Sequence, residues 1–475
     1  MLRRIVLHEW RVLSADATVW VVTAAFAVSI GYGVWNGVRW TRFQHGAIAE
    51  AHAEEAARYD RIAAQLIDLQ SGGKVSPFAD PRSPSVFAGR LGPRYASLPP
   101  APLAPLAIGQ SDLLPYYFKV STDARENIVS TTEIENPARL LAGRFDLAFV
   151  VVFLYPLLIL AVTYNMVSAE KEQGTLPMVL SQPIALGTLT TGKVALRASI
   201  VIGLVVVFSA VASILTGVLA DGGAFARFLL WMAAVAAYGL FWFALAAWVT
   251  SLGRNSTTNA TILASAWLVL VVMTPSVFNL IVTAVYPVPS RVEMVQAMRD
   301  ASDEANKAGA AALARYYDDH PELATGDPAQ AMNDFNILRV AVNDDVERRV
   351  RPVVQRYEER IAAQQRLIDR LRFLSPAILM QNALNDVAGT GTDRHRHFLA
   401  QVDDFHRQWR AHFVPMIFAK ASVGSVESVP RFEFREETDA TIAQRVMTAI
   451  IGLVVPGVLF ALLGLRRLQR FPIVG

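Results

Sequence analysis

Two stretches of this 475-residue chain carry side chains at spacings that chemistry uses. The first, Gly187-Thr188-Leu189-Thr190-Thr191-Gly192-Lys193-Val194, nearly spells the phosphate-binding loop G-x-x-x-x-G-K-[ST]. That loop needs a strand before it, a helix after it and a hydroxyl for magnesium. Val194 stands where the hydroxyl belongs and no strand pattern precedes it. The stretch therefore reads as the interfacial start of a helix, with Lys193 at the lipid headgroups. The second stretch holds four of the eight histidines, His395, His397, His406 and His412, with Asp393, Asp403 and Asp404 nearby. Imidazoles and carboxylates suit zinc or copper. Their spacing does not place all four on one helical face and no H-E-x-x-H run is present, so solvated surface histidines are the simpler reading. The chain has no cysteine, which excludes disulfides, zinc-thiolate sites, iron-sulfur clusters and thiol nucleophiles. No nucleophile–base pair or paired carboxylates stand at catalytic spacing. The chain is not read as an enzyme, and no cofactor is expected in it.

A third stretch is polar where its surroundings are not. Glu170-Lys171-Glu172-Gln173-Gly174-Thr175-Leu176 leads into Leu180-Ser181-Gln182-Pro183-Ile184 and then Gly192-Lys193. The adjacent charges leave an apolar run where water can solvate them. Gly174-Thr175 breaks or tightens the helix, Pro177 opens a new helical turn, and Pro183 ends it. Leu176, Met178, Val179 and Leu180 make a short apolar face. Such a segment lies at a membrane surface or fits a groove on a soluble partner; the plain alternative is a charged inter-span loop.

Over residues 170–193 this stretch resembles the cytoplasmic coupling segment of ABC-2 type exporter permeases, in which an E-K-E-x-G-T-L box precedes an L-S-x-P-I element and a Gly-Lys. The resemblance implies a membrane subunit driven by a separate ATPase chain, which would bind ATP and magnesium. It assigns the coupling interface to Glu170, Lys171, Glu172, Gly174, Thr175, Leu176 and Pro183, with Arg254 on a neighbouring loop. It also implies pairing with a second permease subunit, identical or related.

The elements that must position these residues are mostly apolar. The chain is 53% hydrophobic and 18% charged, on the membrane side of globular composition. A net charge of +3 with dispersed arginines does not suggest nucleic-acid binding. Residues 1–17, with Arg3, Arg4 and Arg11 among Ile5, Val6, Leu7 and Trp10, read as an amphipathic surface helix. Apolar runs at 18–38, 145–167, 194–219, 228–249, 260–286 and 446–465 are each about 20 residues or more, enough to cross a bilayer. The expected fold is thus an α-helical polytopic membrane protein with six transmembrane helices and two extracytoplasmic domains. The first domain, 39–144, is a helix over 45–70 followed by a Pro-rich extended segment that packs on something. The second, 287–441, is mainly helical, a small bundle with a stripe of Val346, Val350, Val353, Tyr357, Ile361, Leu367 and Leu371 and a helix N-cap at Ser375-Pro376.

Arg3, Arg4, Arg11, Lys171, Lys193, Arg254, Arg466, Arg467 and Arg470 all fall on one side, which the positive-inside tendency makes cytoplasmic. The coupling segment 168–193 and the tail 466–475 lie on that side with both termini, and a bacterial inner membrane fits best. The spans hold almost no ionisable groups: Asp146 is expected at the water-reachable outer start of the second span and Arg197 snorkelling at the start of the third. Ion-coupled carriers need charge deep in the membrane, so an externally powered permease is favoured. Polar residues such as Asn165, Ser209, Ser213, Thr274 and Asn279 line a path or knit helices together. The alternative function is mechanical: ATPase motion conveyed outward to a periplasmic partner, with no substrate crossing. A membrane-anchored enzyme or sensor would need the histidine cluster to bind metal.

Overall fold

The computed structural model describes residues 2–15, 17–123, 145–182, 184–219, 222–288, 291–324 and 328–469. Pro183 and Arg470 lie outside the described residues. Among the described residues, six helices are long and apolar enough to cross a membrane: Val19–Gln70, Leu147–Glu172, Leu186–Leu215, Gly223–Thr250, Ser256–Val285 and Asp439–Leu468. These are called the first to sixth spans.

Helix α1 (Leu2–Ala15) precedes α2 (Ala17–Gln70), which runs without interruption from the apolar layer into the first insert. No proline falls within α2, and its 54 residues extend about 80 Å at 1.5 Å each. Gly33 and Gly37 stand one turn apart where other backbone presses on α2. A Cβ would lie 2.8 Å from the Asp146 carbonyl carbon at Gly33 and 1.8 Å from the Pro105 oxygen at Gly37. The Pro-rich stretch is not extended throughout: short helical turns form at Pro77–Ala79, Pro84–Val86 with Phe87–Leu91, and Ala104–Leu106, where proline's fixed φ suits a first helical turn. Its later part is buried: Leu103, Leu106 and Ala107 are 0% exposed and join the core of the spans. Its flanks pair as a two-stranded antiparallel sheet, β1 (Arg94–Ser97) with β2 (Tyr117–Val120).

The second span begins with Leu147–Phe149, widens to i→i+5 bonding over Val150–Leu154 and continues as α3 (Tyr155–Thr163). Short helices α4 (Ser168–Glu172) and α5 (Leu176–Leu180) follow. Helices α6 (Leu186–Leu215) and α7 (Gly222–Thr250) are the third and fourth spans. The fifth is α8 (Ser256–Trp267), a second widened stretch Leu268–Met273, and α9 (Thr274–Val285). Then come α10 (Arg291–Lys307), α11 (Gly309–Asp319), α12 (Phe335–Leu371), α13 (Pro376–Ala388), α14 (Thr392–Phe418) and the sixth span α15 (Asp439–Leu468).

The two inserts share one core. Tyr59, Ile62, Leu66, Phe87 and Phe118 from the first pack with Phe398, Phe405, Trp409 and Phe413 of α14. Phe118 stacks on Phe398 at 5.9 Å, Phe87 stacks on Phe413 at 5.5 Å, and the Trp409 indole donates to the Ala88 carbonyl at 3.2 Å. The helical stripe divides: Val346 and Val350 are buried, while Ile361 is 43% exposed. The N-cap at Ser375 is present, its hydroxyl accepting from the Ile378 amide at 3.3 Å. Helix α13 does not stay with the rest of the second insert. Leu379, Met380, Ala383, Leu384 and Val387 join the core of the spans between α7 and α15. The turn before it lies beside Gly452 near the middle of α15, where a Cβ would meet the Phe373 ring at 3.0 Å.

Candidate functional site: a fastened base beneath the spans

Helix α4 closes the second span and ends at Glu172; Gly174 takes φ +70, a conformation that costs glycine little. Pro177 lies in the first turn of α5, as its fixed φ favours. The Thr175 amide donates to the Glu170 carbonyl at 2.9 Å and closes the turn between the helices. Leu176 is fully buried with Val167, Leu186, Leu189 and Leu468, so α5 is pinned to the starts of α6 and the end of α15. Met178, on the other face, is 68% exposed.

The charges of the box are fasteners. Lys193 donates to the Glu170 carboxylate at 2.6 Å and to the Met166 carbonyl at 2.9 Å, and lies 3.7 Å from Glu9 of α1. Arg197, one turn on, holds Glu9 through two guanidinium bonds, one of them 2.7 Å, and donates to the Val162 carbonyl. Glu9, Lys193 and Arg197 are all buried. Buried charges persist only where partners and hydrogen bonds replace water; here α1, α3, α4 and α6 supply them to one another. Glu172 accepts from the Ser256 amide at 2.5 Å and hydroxyl at 3.0 Å, at the N-terminus of α8. A carboxylate is well placed there, against the positive end of a helix dipole. The Ser168 and Ser256 hydroxyls meet at 2.8 Å, and Lys171 donates to the Gly253 carbonyl at 3.3 Å. Arg254, in the same turn, is exposed.

Several sequence expectations change here. Lys193 and Arg197 do not reach out to solvent, because α6 starts at Leu186 and sets both a turn or more inside it, buried against Glu9. The Gly187–Lys193 stretch is therefore helical, and no phosphate cradle forms. Asp146 does not reach water: it is 4% exposed and accepts from the Phe149 and Ile108 amides, both at 2.7 Å. Of the polar residues in the spans, Ser213 bonds the Ser209 carbonyl and Thr274 the Val269 carbonyl, satisfying their own helices. Glu9 completes this base and was not singled out from the sequence; its signal was a lone acid in a basic amphipathic helix.

The four histidines do not converge. His397 meets the Arg435 carbonyl and His406 the Asp123 carbonyl, each at 2.9 Å. His412 lies edge-on to Phe413 and His395 sits 6.0 Å from the Phe398 ring. Burial drives the His395 imidazole down to about 4, and burial with Arg410 lowers His406. Among the described residues no group of three or more His, Asp or Glu side chains is arranged to hold a metal ion.

A family model described as "Domain of unknown function (DUF3526)" matches residues 291–435, which run from α10 through α14 and do not include the base. No curated protein matches the chain.

Proposed function

We propose that this chain is the membrane subunit of an ATP-driven exporter of the ABC-2 type, set in a bacterial inner membrane and worked by a separate ATPase chain. The observation that carries this reading is the base itself. The segment that resembles a coupling element is bonded to α6 and to the start of α8, and α6 in turn holds Glu9 of α1, so force applied to it reaches the second, third and fifth spans together. On this reading the base faces the cytoplasm, both termini lie there, and the joint core of the two inserts is extracytoplasmic. ATP and magnesium belong to the partner, and a second permease subunit completes the membrane unit. The contact to the ATPase is made by the outward face of α4–α5 and the adjacent turn, where Met178, Gln173 and Arg254 are exposed. Glu170, Lys171 and Glu172 hold that face in shape.

A mechanical role without cargo has its own support. Helix α2 is continuous from the apolar layer into the insert core, and α13 returns from the inserts into the core of the spans. Two such ties make the inserts move with the spans.

Tagged protein purified from its native cell in nanodiscs is expected to bring an ATPase chain with it. Met178→Asp is expected to lose that chain while the protein stays folded, because the Met178 side chain is 68% exposed. Recovery of no ATPase, or equal recovery with Met178→Asp, would contradict the docking assignment.

A further inference from the structure

The second and fifth spans carry the same irregularity. In each, one stretch widens to i→i+5 bonding just before a proline. Tyr155 donates to the Val150 carbonyl ahead of Pro156, and Thr274 donates to the Val269 carbonyl ahead of Pro275. Proline has no N–H, so a turn that includes it leaves a carbonyl without its backbone donor. In an apolar layer such a carbonyl needs another partner. Side chains from other elements provide it. The Tyr238 hydroxyl of α7 donates to the Val152 carbonyl at 3.0 Å, and the Trp267 indole of the fifth span donates to the Phe153 carbonyl at 3.2 Å. The Ser375 hydroxyl, at the start of α13, donates to the Leu270 carbonyl at 3.1 Å. The two widened turns are therefore linked through Trp267, which directly precedes the one in the fifth span and bonds the one in the second, and α13 packs against both.

The ends of these spans are tied. Below, Glu172 and Ser168 of the second span hold Ser256 of the fifth. Above, Asp146 takes the Ile108 amide, Asn36 donates to the Phe145 carbonyl at 2.8 Å, and Gln364 of α12 donates to the Tyr286 carbonyl at 2.7 Å. Motion of the base relative to the inserts must be absorbed between these ties, where regular helix bonding is already interrupted. Widened turns of this kind recur where helices bend or act.

We propose that Val150–Leu154 and Leu268–Met273 form a paired hinge, strutted by Tyr238, Trp267 and Ser375, at which the second and fifth spans bend together and move α13. The driver of that bending rests on the reading of the base as the site that receives force. The three struts are positioning residues: they touch no substrate, and they make two local irregularities act as one joint.

The test uses the full chain in nanodiscs, with its ATPase partner for one arm. Without the partner, amides of both widened turns should exchange with deuterium about tenfold faster than those in α6 or α7. Trp267→Phe, which keeps a ring and drops the N–H, should raise exchange in both turns by about tenfold again. Pro156→Ala with Pro275→Ala should slow it. Because the chain has no cysteine, spin labels can be set at Ala161→Cys and Phe78→Cys, both exposed positions. ATP should change their separation in the wild-type complex, and the double proline variant should lose that change while still binding the ATPase. Slow exchange at the turns, or no response to Trp267→Phe in either turn, would overturn the hinge. Fast, coupled turns with no label movement on ATP would retain the joint and reject the base as its driver.

Discussion

Glu9 carries the most at the scale of single residues. Its carboxylate is buried and meets two cations of α6, Lys193 and Arg197. Removing one member of a buried ion pair costs about 3–5 kcal/mol because the other is left uncompensated. Glu9→Gln is therefore expected to release α1, seen as faster deuterium exchange over residues 2–15 with the spans unchanged. Glu9→Leu with Arg197→Met should recover much of that loss, since an apolar pair replaces a desolvated one. His395 makes a second prediction. Its folded value lies below the ordinary 6.5, at about 4. The unfolded chain then binds the extra proton between those values, so the group's contribution is complete above about 6.5 and is lost as pH falls toward 4, by about 3 kcal/mol at most. His395→Gln should flatten that slope. The measurement is the difference between variant and wild-type denaturation midpoints at pH 7 and pH 5; no difference in slope would reject a buried neutral imidazole.

Elements show where the sequence was legible. Apolar runs disclosed the spans, because each must bury or immerse a continuous apolar surface and that need is written locally. The Gly174 break, the Pro177 start and the Ser375 cap were legible for the same reason: each is a backbone requirement of one or two residues. The pairing of Glu9 with Arg197 was not, since 188 residues separate them. Nor was the return of α13 into the core of the spans, because a short apolar helix reads alike in a soluble bundle and in a membrane layer. The shared core of the inserts was hidden likewise: nothing near Phe87 or Phe118 in sequence shows that α14, about 270 to 330 residues on, covers them. That core yields a test. Trp409→Ala should cost about 3–5 kcal/mol, as large-to-small changes in packed cores do. A fragment of residues 291–435 should lack fixed aromatic packing by near-ultraviolet circular dichroism, because Phe398, Phe405, Trp409 and Phe413 lose their cover. A native-like spectrum from that fragment would contradict the joint core.

On the scale of the molecule, the parts form one train: a base fastened by charges, six apolar helices, and an insert core reached by α2 and touched by α13. On the proposed function an ATPase pushes on the base. The most direct measurement exploits the absence of native cysteine. A photoreactive cross-linker on Met178→Cys, in membranes of the native cell, is predicted to trap an ATPase chain. The same label on Phe78→Cys, exposed on the first insert, should trap none. A Met178 label that captures only lipid or unrelated chains, while a known complex in the same membranes cross-links normally, would contradict the account.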